Sequence, residues 1–247
     1  MEEQLEEMQK PINQWAFPRV LVGIPMERAL SNADIVVPRI AALGQLGVNF
    51  IWLPYTSRID IARNMMGMAL LEKDFTHLIM LDSDHEFPVG DRDIVRALAR
   101  WAVRRPDAKV VGAMNFMRRL PFSPCCYIET EDPDVWAIPT KWEKGLMKVI
   151  SMGTGAIMIA REVFEELTMP WFYNDYRFAW EMHFPGEDTG FCAKCRDANI
   201  PIYVDTSITC PHITTATVDE STFRSNFSVN GMNDEQEFMK AIKHASA

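Results

Sequence analysis

The chain has 247 residues, 48% hydrophobic and 24% charged, with a formal net charge of −9. That is enough apolar material for a substantial core, and the acidic balance argues against a broad phosphate-tracking surface, so nucleic acid is not an expected partner. No apolar run approaches the roughly 20 residues that span a bilayer, the acidic start MEEQLEEMQK lacks a secretory pattern, and five uneven cysteines suit reduced thiols, so a soluble cytosolic protein is expected.

An acidic leader (1–18), frayed or helical, precedes RVLVGIP (19–25), a β-rich run stopped by Gly23 and Pro25. A helix is predicted across 32–46 with Asn32 as cap, a buried strand over 48–54, and a helix over 57–73 capped by Ser57. HLIML (77–81) is the third strand, 91–105 a helix and AKVVGAM (108–114) the fourth strand. Apolar strands alternating with helices predict a mostly parallel sheet covered on both faces, with ligands beyond the carboxyl ends of its strands.

From about Pro121 the segments FSPCCYIE, DVWAIP and GLMKVISM predict short antiparallel ribbons. MGTGAIMIA (152–160) reads as a strand, REVFEEL as a short helix, GEDTGFCAKCRDANI (186–200) as a helix opened by acids, and PIYVDTSI (201–208) as a last strand ending near His212. The polar remainder, 213–247, reads as a tail or lid with a helix at 233–244.

The run HLIMLDSDHEFP sets Asp82 and Asp84 one residue apart at a strand's carboxyl end. Two hard oxygen donors there suit Mg²⁺ or Mn²⁺, which also takes phosphate oxygens, although two acids that merely end the segment and face water would look the same.

The order of strand, DSDH, GTGAIMIAREVFEEL, GEDTGFCAKCRDANIPIYVD and PH, over roughly 19–213, resembles the nucleotide-sugar-dependent glycosyltransferases of the GT-A fold, family 2-like with a D-X-D motif. The resemblance implies an α/β fold: a Rossmann-like mostly parallel sheet flanked by helices, with a small antiparallel acceptor-side region. It implies a domain over 19–212, with 19–120 as the nucleotide-sugar half and 121–212 as the acceptor half. Asp84 would be the direct metal ligand, Asp82 a contact to the ribose or the metal, and His212 a nitrogen ligand. Such a set suits Mn²⁺ somewhat better than Mg²⁺. Pro25, Met26, Glu27, Arg58, Asp60 and Arg63 would line the nucleotide pocket with Ser83, the partners being a nucleoside diphosphate sugar and an unidentified acceptor hydroxyl.

Gly153 and Gly155 would let a sugar lie against backbone, and they equally suit a strand bulge. Glu187 and Asp188 open a helix, where capping explains them completely; under the resemblance Asp188 is the catalytic base of an inverting transfer. The aromatic block 171–184 suits a half-exposed acceptor wall or lid. Cys192, Cys195, Cys210 and His212 have a zinc-like spacing, but the two cysteines on the helix also suit a buried face. The rival functions are a nucleotidyltransferase acting on sugar phosphates, which GIPMER with its one glycine fits poorly, and a non-catalytic carbohydrate-binding module.

Overall fold

Val20, Leu21, Val22 and Ile24 put apolar side chains on both sides of β1 (Val20–Pro25), a pattern stable only between two covering layers, and all six residues are buried. The computed structural model describes residues 1–25, 33–53, 58–87, 93–118, 122–132, 136–174 and 186–213. Its helices are α1 (Glu2–Glu7), α2 (Ala33–Gln45), α3 (Ile59–Glu72), α4 (Ile94–Arg104), α5 (Arg161–Glu166) and α6 (Glu187–Asp197). The other strands are β2 (Asn49–Leu53), β3 (His77–Leu81), β4 (Val110–Met114), β5 (Cys126–Glu129), β6 (Trp136–Ala137), β7 (Leu146–Val149), β8 (Ser151–Met152), β9 (Ala156–Ala160) and β10 (Ile202–Thr209).

The main sheet has the order β2-β1-β3-β9-β4-β10-β7, and a smaller antiparallel sheet has the order β6-β5-β8. In the main sheet β2, β1, β3, β4 and β10 run one way, while β9 and the edge strand β7 run against them. The expected architecture, a mostly parallel sheet flanked by helices with a small antiparallel region, is the one observed. One segment differs: Leu146–Val149 joins the large sheet and not a separate ribbon, pairing with β10 from Ile202 to Asp205. Its apolar residues announce a strand, but a strand's own pattern does not name its partner.

Alternate residues of the central strands feed two apolar clusters: Val22, Ile24, Ile79, Leu81 and Met158 one, and Leu21, Leu78, Met80, Ile157 and Ile159 the other. This is the period-two split of strands covered on both faces. β10 changes sides along its length. Ile202 and Val204 pack in the second cluster but Ile208 and Cys210 in the first. The register slips between Asp205 and Thr209, and an odd slip exchanges the faces.

The leader packs onto the domain: α1 is helical, and Met8, Ile12 and Trp15 are buried in the first cluster. The cap position of α3 falls on Arg58, whose side chain makes no capping bond, one residue beyond the expected Ser57. α4 begins later than expected, at Ile94, because Asp93 accepts a hydrogen bond from the Arg96 amide at 2.6 Å and closes the helix there. Asn32, Ser57 and the 214–247 tail lie outside the described residues.

The expected acceptor wall is corrected in its first two rings. Trp171 and Phe172 are core residues, with the Asn64 Oδ1 accepting from their amides at 2.8 and 3.2 Å and Phe172 stacked on Phe191. Burial of the rings outweighs the polar residues that follow them; residues 175–184 lie outside the described residues.

Candidate active site

The site forms where β3 stops. The Asp82 amide donates to the Gly155 carbonyl at 2.8 Å, and Ser83 and Asp84 form a half-buried turn. The chain then pairs with the loop after β10: the Glu86 amide donates to the Pro211 carbonyl at 2.8 Å and the Ile213 amide to the Asp84 carbonyl at 2.7 Å, bracketing a bridge between His85 and His212. This backbone clamp brings together side chains 127 positions apart. His85 Nδ1 lies 3.0 Å from Asp84 Oδ1, His212 Nε2 lies 3.9 Å from Asp84 Oδ2, and the imidazole centroids are 3.8 Å apart.

Protonation suits this cluster to a cation. Burial lowers the pKa of His212 below its ordinary value, and the Phe116 carbonyl accepts from Nδ1 at 2.6 Å, so Nε2 keeps its lone pair toward Asp84. Burial pushes the Asp84 carboxyl up, but the bond from His85 and the charges of His85, Arg118 and His212 outweigh it and hold the carboxyl below its usual range. A carboxylate and a neutral imidazole are the forms that ligate metals.

The 3.9 Å between Asp84 Oδ2 and His212 Nε2 is under twice a typical metal–ligand bond of about 2.1 Å, so one ion can bridge them. His85 Nε2 is buried without a hydrogen-bond partner, and ligand atoms of Asp84, His85 and His212 lie within 4.8 Å of one another. The residues therefore fit a divalent cation.

Asp82 is held differently. Arg63, 2% exposed, donates from Nη2 to both Asp82 oxygens at 3.0 Å and from Nε to Glu187 Oε1 at 3.0 Å. Burial acts to lower the Arg63 pKa, but Asp82 and Glu187 raise it above its ordinary value, so the guanidinium stays charged. The repulsion between two acids on one turn is thus met separately, at Asp82 by Arg63 and at Asp84 by the histidines and Arg118.

Glu187 and Asp188 occupy the first turn of α6, after Gly186. Asp188 Oδ1 accepts from the Thr189 amide at 2.7 Å. Burial, with the neighbouring Glu187 charge adding to it, pushes the Asp188 carboxyl up to about 6. Asp188 faces a cleft of about 280 Å³ that it shares with Asp82, Asn115, Cys125, Gly153 and His212. Asn115 Oδ1 and Thr154 Oγ1, on residues of the same walls, are buried without partners.

Of the two glycines, Gly155 has the stricter requirement. A Cβ there would lie 2.5 Å from Cε1 and Nε2 of His85, whereas at Gly153 it would stand 3.1 Å from the Cys125 Cβ. Gly155 therefore leaves room for the imidazole that joins the cation cluster.

The cleft gathers Arg63, Asp82, Gly153, Gly155, Glu187, Asp188 and His212 from the expected set. Pro25, Arg58, Asp60, Ser83 and Asp84 are not among its walls, and Asp84 meets the cleft only through its contacts with His85 and His212. Arg58 Nε donates to Asp60 Oδ1 at 3.1 Å, and this bond is the main cause that holds the Asp60 carboxyl low. Met26 and Glu27 lie outside the described residues. Sequence reasoning gave no role to His85, Asn115, Cys125 or Arg118. A polar residue directly after an apolar strand, the signal that marked Asp82, also marks Asn115 after β4.

The zinc spacing does not correspond to a site. Cys192 and Cys195 are in the second apolar cluster and Cys210 in the first, with the sheet between them.

No model of a known protein family matches the chain, and no curated protein matches it. Among solved structures, A197 from STIV aligns at 20% identity and a TM-score of 0.54, over 79% of this chain and 86% of that one, a likeness of fold. GalNAc-T7 with UDP, GalNAc and Mn²⁺ aligns at 12% identity and 0.48, over 79% of this chain and 43% of that one. The CMP:2-keto-3-deoxy-manno-octonic acid synthetase complexed with CTP aligns at 10% identity and 0.42, over 87% and 99%. The last two scores are too low to bear on function. Among the described residues no helix is long and apolar enough to cross a membrane.

Proposed function

We propose that this chain is a metal-dependent glycosyltransferase that moves a sugar from a nucleoside diphosphate sugar to an acceptor hydroxyl, with residues 19–212 as its catalytic domain. The observation that carries the reading is a cation-ready Asp84–His85–His212 cluster whose two histidines line the same cleft as an acid, Asp188, with a pKa raised to about 6.

Asp84 and His212, with His85 as a third donor, would hold the cation; two nitrogens and an oxygen favour Mn²⁺ over Mg²⁺. A cation there supplies positive charge to the departing diphosphate. Asp188 takes the proton of the acceptor hydroxyl as its oxygen attacks the anomeric carbon, a task for which a pKa near the working pH is suited. Arg63 holds Asp82 and Glu187 in place at the cleft, and Asp82 could accept from the ribose or sugar. The orphan oxygens of Asn115 and Thr154 can accept from sugar hydroxyls.

The test is release of nucleoside diphosphate from a panel of sugar nucleotides with Mn²⁺ and with chelator. Release that requires Mn²⁺ and is lost in Asp84→Ala supports the reading. Pyrophosphate release from nucleoside triphosphate plus sugar phosphate would replace it with nucleotidyl transfer, and nucleotide-sugar binding without turnover would replace it with a binding module.

A further inference from the structure

Arg118 occupies the place that a cation at Asp84 needs. Its Nη1 lies 3.0 Å from Asp84 Oδ2, the same oxygen that faces His212 Nε2 at 3.9 Å. Arg118 stands at the end of a short ribbon after β4: the Met117 amide donates to the Ser123 carbonyl at 2.9 Å, the Cys125 amide donates to the Asn115 carbonyl at 2.9 Å, and Phe116 bridges Pro124. Its side chain is 55% exposed, and among the described residues Asp84 is its ion-pair partner. Among the described residues no second carboxylate pairs with the guanidinium in that position.

A metal bound between Asp84 and His212 must take the oxygen that Arg118 holds, and two cations sharing one carboxylate repel each other. The guanidinium is then displaced while its ribbon remains at the mouth of the cleft. An arginine matches phosphate oxygens with two parallel donors, so a diphosphate on the metal gives it the partner that it has lost.

We propose that Arg118 is a positioning residue with two successive partners: Asp84 before the metal binds, and the donor's diphosphate afterwards. The inference rests on the glycosyltransferase reading above. It makes Arg118 a competitor of the metal and an ally of the diphosphate, so removing it should change the two affinities in opposite directions.

The measurement is calorimetry on the full chain, first with Mn²⁺ alone, then with pyrophosphate at saturating Mn²⁺, for wild type, Arg118→Ala and Arg118→Lys. A half-exposed ion pair is weak, so Arg118→Ala should bind Mn²⁺ alone only about 2–5-fold more tightly. The same variant should bind pyrophosphate roughly tenfold or more weakly, the expected effect of losing hydrogen bonds to a charged group. Arg118→Lys should fall between, because it keeps the charge and loses the paired donors.

Unchanged or weaker Mn²⁺ binding in Arg118→Ala overturns the competition, and unchanged pyrophosphate affinity overturns the second partner. Both results would leave a wild type that binds Mn²⁺, and with it the proposed function, standing. A wild-type chain that binds no Mn²⁺ removes that reading and the Arg118 inference together, as does a Mn²⁺-loaded wild type without affinity for pyrophosphate. Arg118 is exposed, so its replacement does not disturb the core, and matched urea melts of the three proteins verify this.

Discussion

Arg63 reaches both oxygens of Asp82 from a single nitrogen at 3.0 Å, and its remaining side joins Glu187 at 3.0 Å, linking β3 to a helix more than a hundred residues later. Arg63 is 2% exposed, so its end of these bonds is shielded from water. The arrangement holds one acid of the D-X-D pair away from the cation cluster and leaves Asp84 to serve it.

Removing the guanidinium should therefore be costly. Arg63→Met leaves two carboxylates facing each other without a counter-charge, and loss of one partner in such a buried set costs about 3–5 kcal/mol. The triple variant with Asp82→Asn and Glu187→Gln should recover a large part of that loss, since no charge is then left unpaired. Urea unfolding at neutral pH checks both expectations. A triple variant no more stable than Arg63→Met would show that packing of the long side chain, and not its charge, is what matters.

Gly155→Ala tests the imidazole's place. The new methyl group would stand 2.5 Å from His85 Nε2, so the ring must move, and overpacking of this kind costs about 1–3 kcal/mol. Mn²⁺ affinity should fall as well. Adding His85→Ala should restore stability toward that of His85→Ala alone without restoring metal affinity, which thermal melts and Mn²⁺ titration would read together. Equal metal affinity in wild type and Gly155→Ala would remove His85 from the cation cluster.

The fold was legible because β1, β3, β4 and β9 are apolar apart from His77 at the start of β3, and such strands must be covered on both sides whatever lies elsewhere. The line of Asp82 to Asp84 was legible for a similar reason, since charge directly after a buried strand needs a partner. The partner itself was not. Arg63 is marked locally by Asp60, three positions before it on the helix, yet its bonds go to Asp82 and Glu187. His85 was hidden by its neighbours, because its role depends on the backbone bridge to His212, which no local pattern encodes. Trp171 and Phe172 were misread because core and exposed aromatic residues share one composition, and only the Asn64 bonds and the stack on Phe191 show which they are.

Asp205 should control stability in acid. It is 0% exposed and accepts from Arg100 at 2.9 Å, Trp101 Nε1 at 2.7 Å and the Ser207 amide at 2.9 Å. Burial pushes its pKa up, but the Ser207 and Trp101 bonds, with those from the Ser207 amide and Arg100, outweigh it and the net direction is down. A depressed folded pKa contributes stability above the unfolded value, about 3.9, and that contribution disappears as pH falls through the folded value. Asp205→Asn should thus be less stable than wild type at pH 7 and converge with it in acid, as read by urea midpoints from pH 7 to pH 2. A constant gap across that range would mean that shape, and not charge, holds the Arg100–Trp101 contact.

Asp188 is where stability and turnover should move apart. Its folded pKa is raised from an ordinary 3.8 to about 6, so between those values the folded protein holds a proton that the unfolded chain has released. Stability accordingly falls as pH rises through this window, and above pH 6 the buried charge is a standing penalty. Asp188→Asn removes the charge and keeps the shape, so it should be at least as stable as wild type at pH 7.5. Gly186 and not Asp188 holds the cap position of α6, so a purely structural role in the first turn predicts only about 0.3–1 kcal/mol of change when the charge is removed. The base role adds that Asn cannot take a proton, so turnover should drop roughly 10²-fold or more with donor affinity unchanged. Wild-type turnover should rise through a limb near pH 6, and the residual rate of Asp188→Asn should lack it. Unfolding by urea, nucleotide calorimetry and the two pH–rate profiles separate these effects. Turnover within a few-fold of wild type would reduce Asp188 to part of the helix start, and a large loss of turnover with equal loss of stability would point to damage to α6 instead of to chemistry.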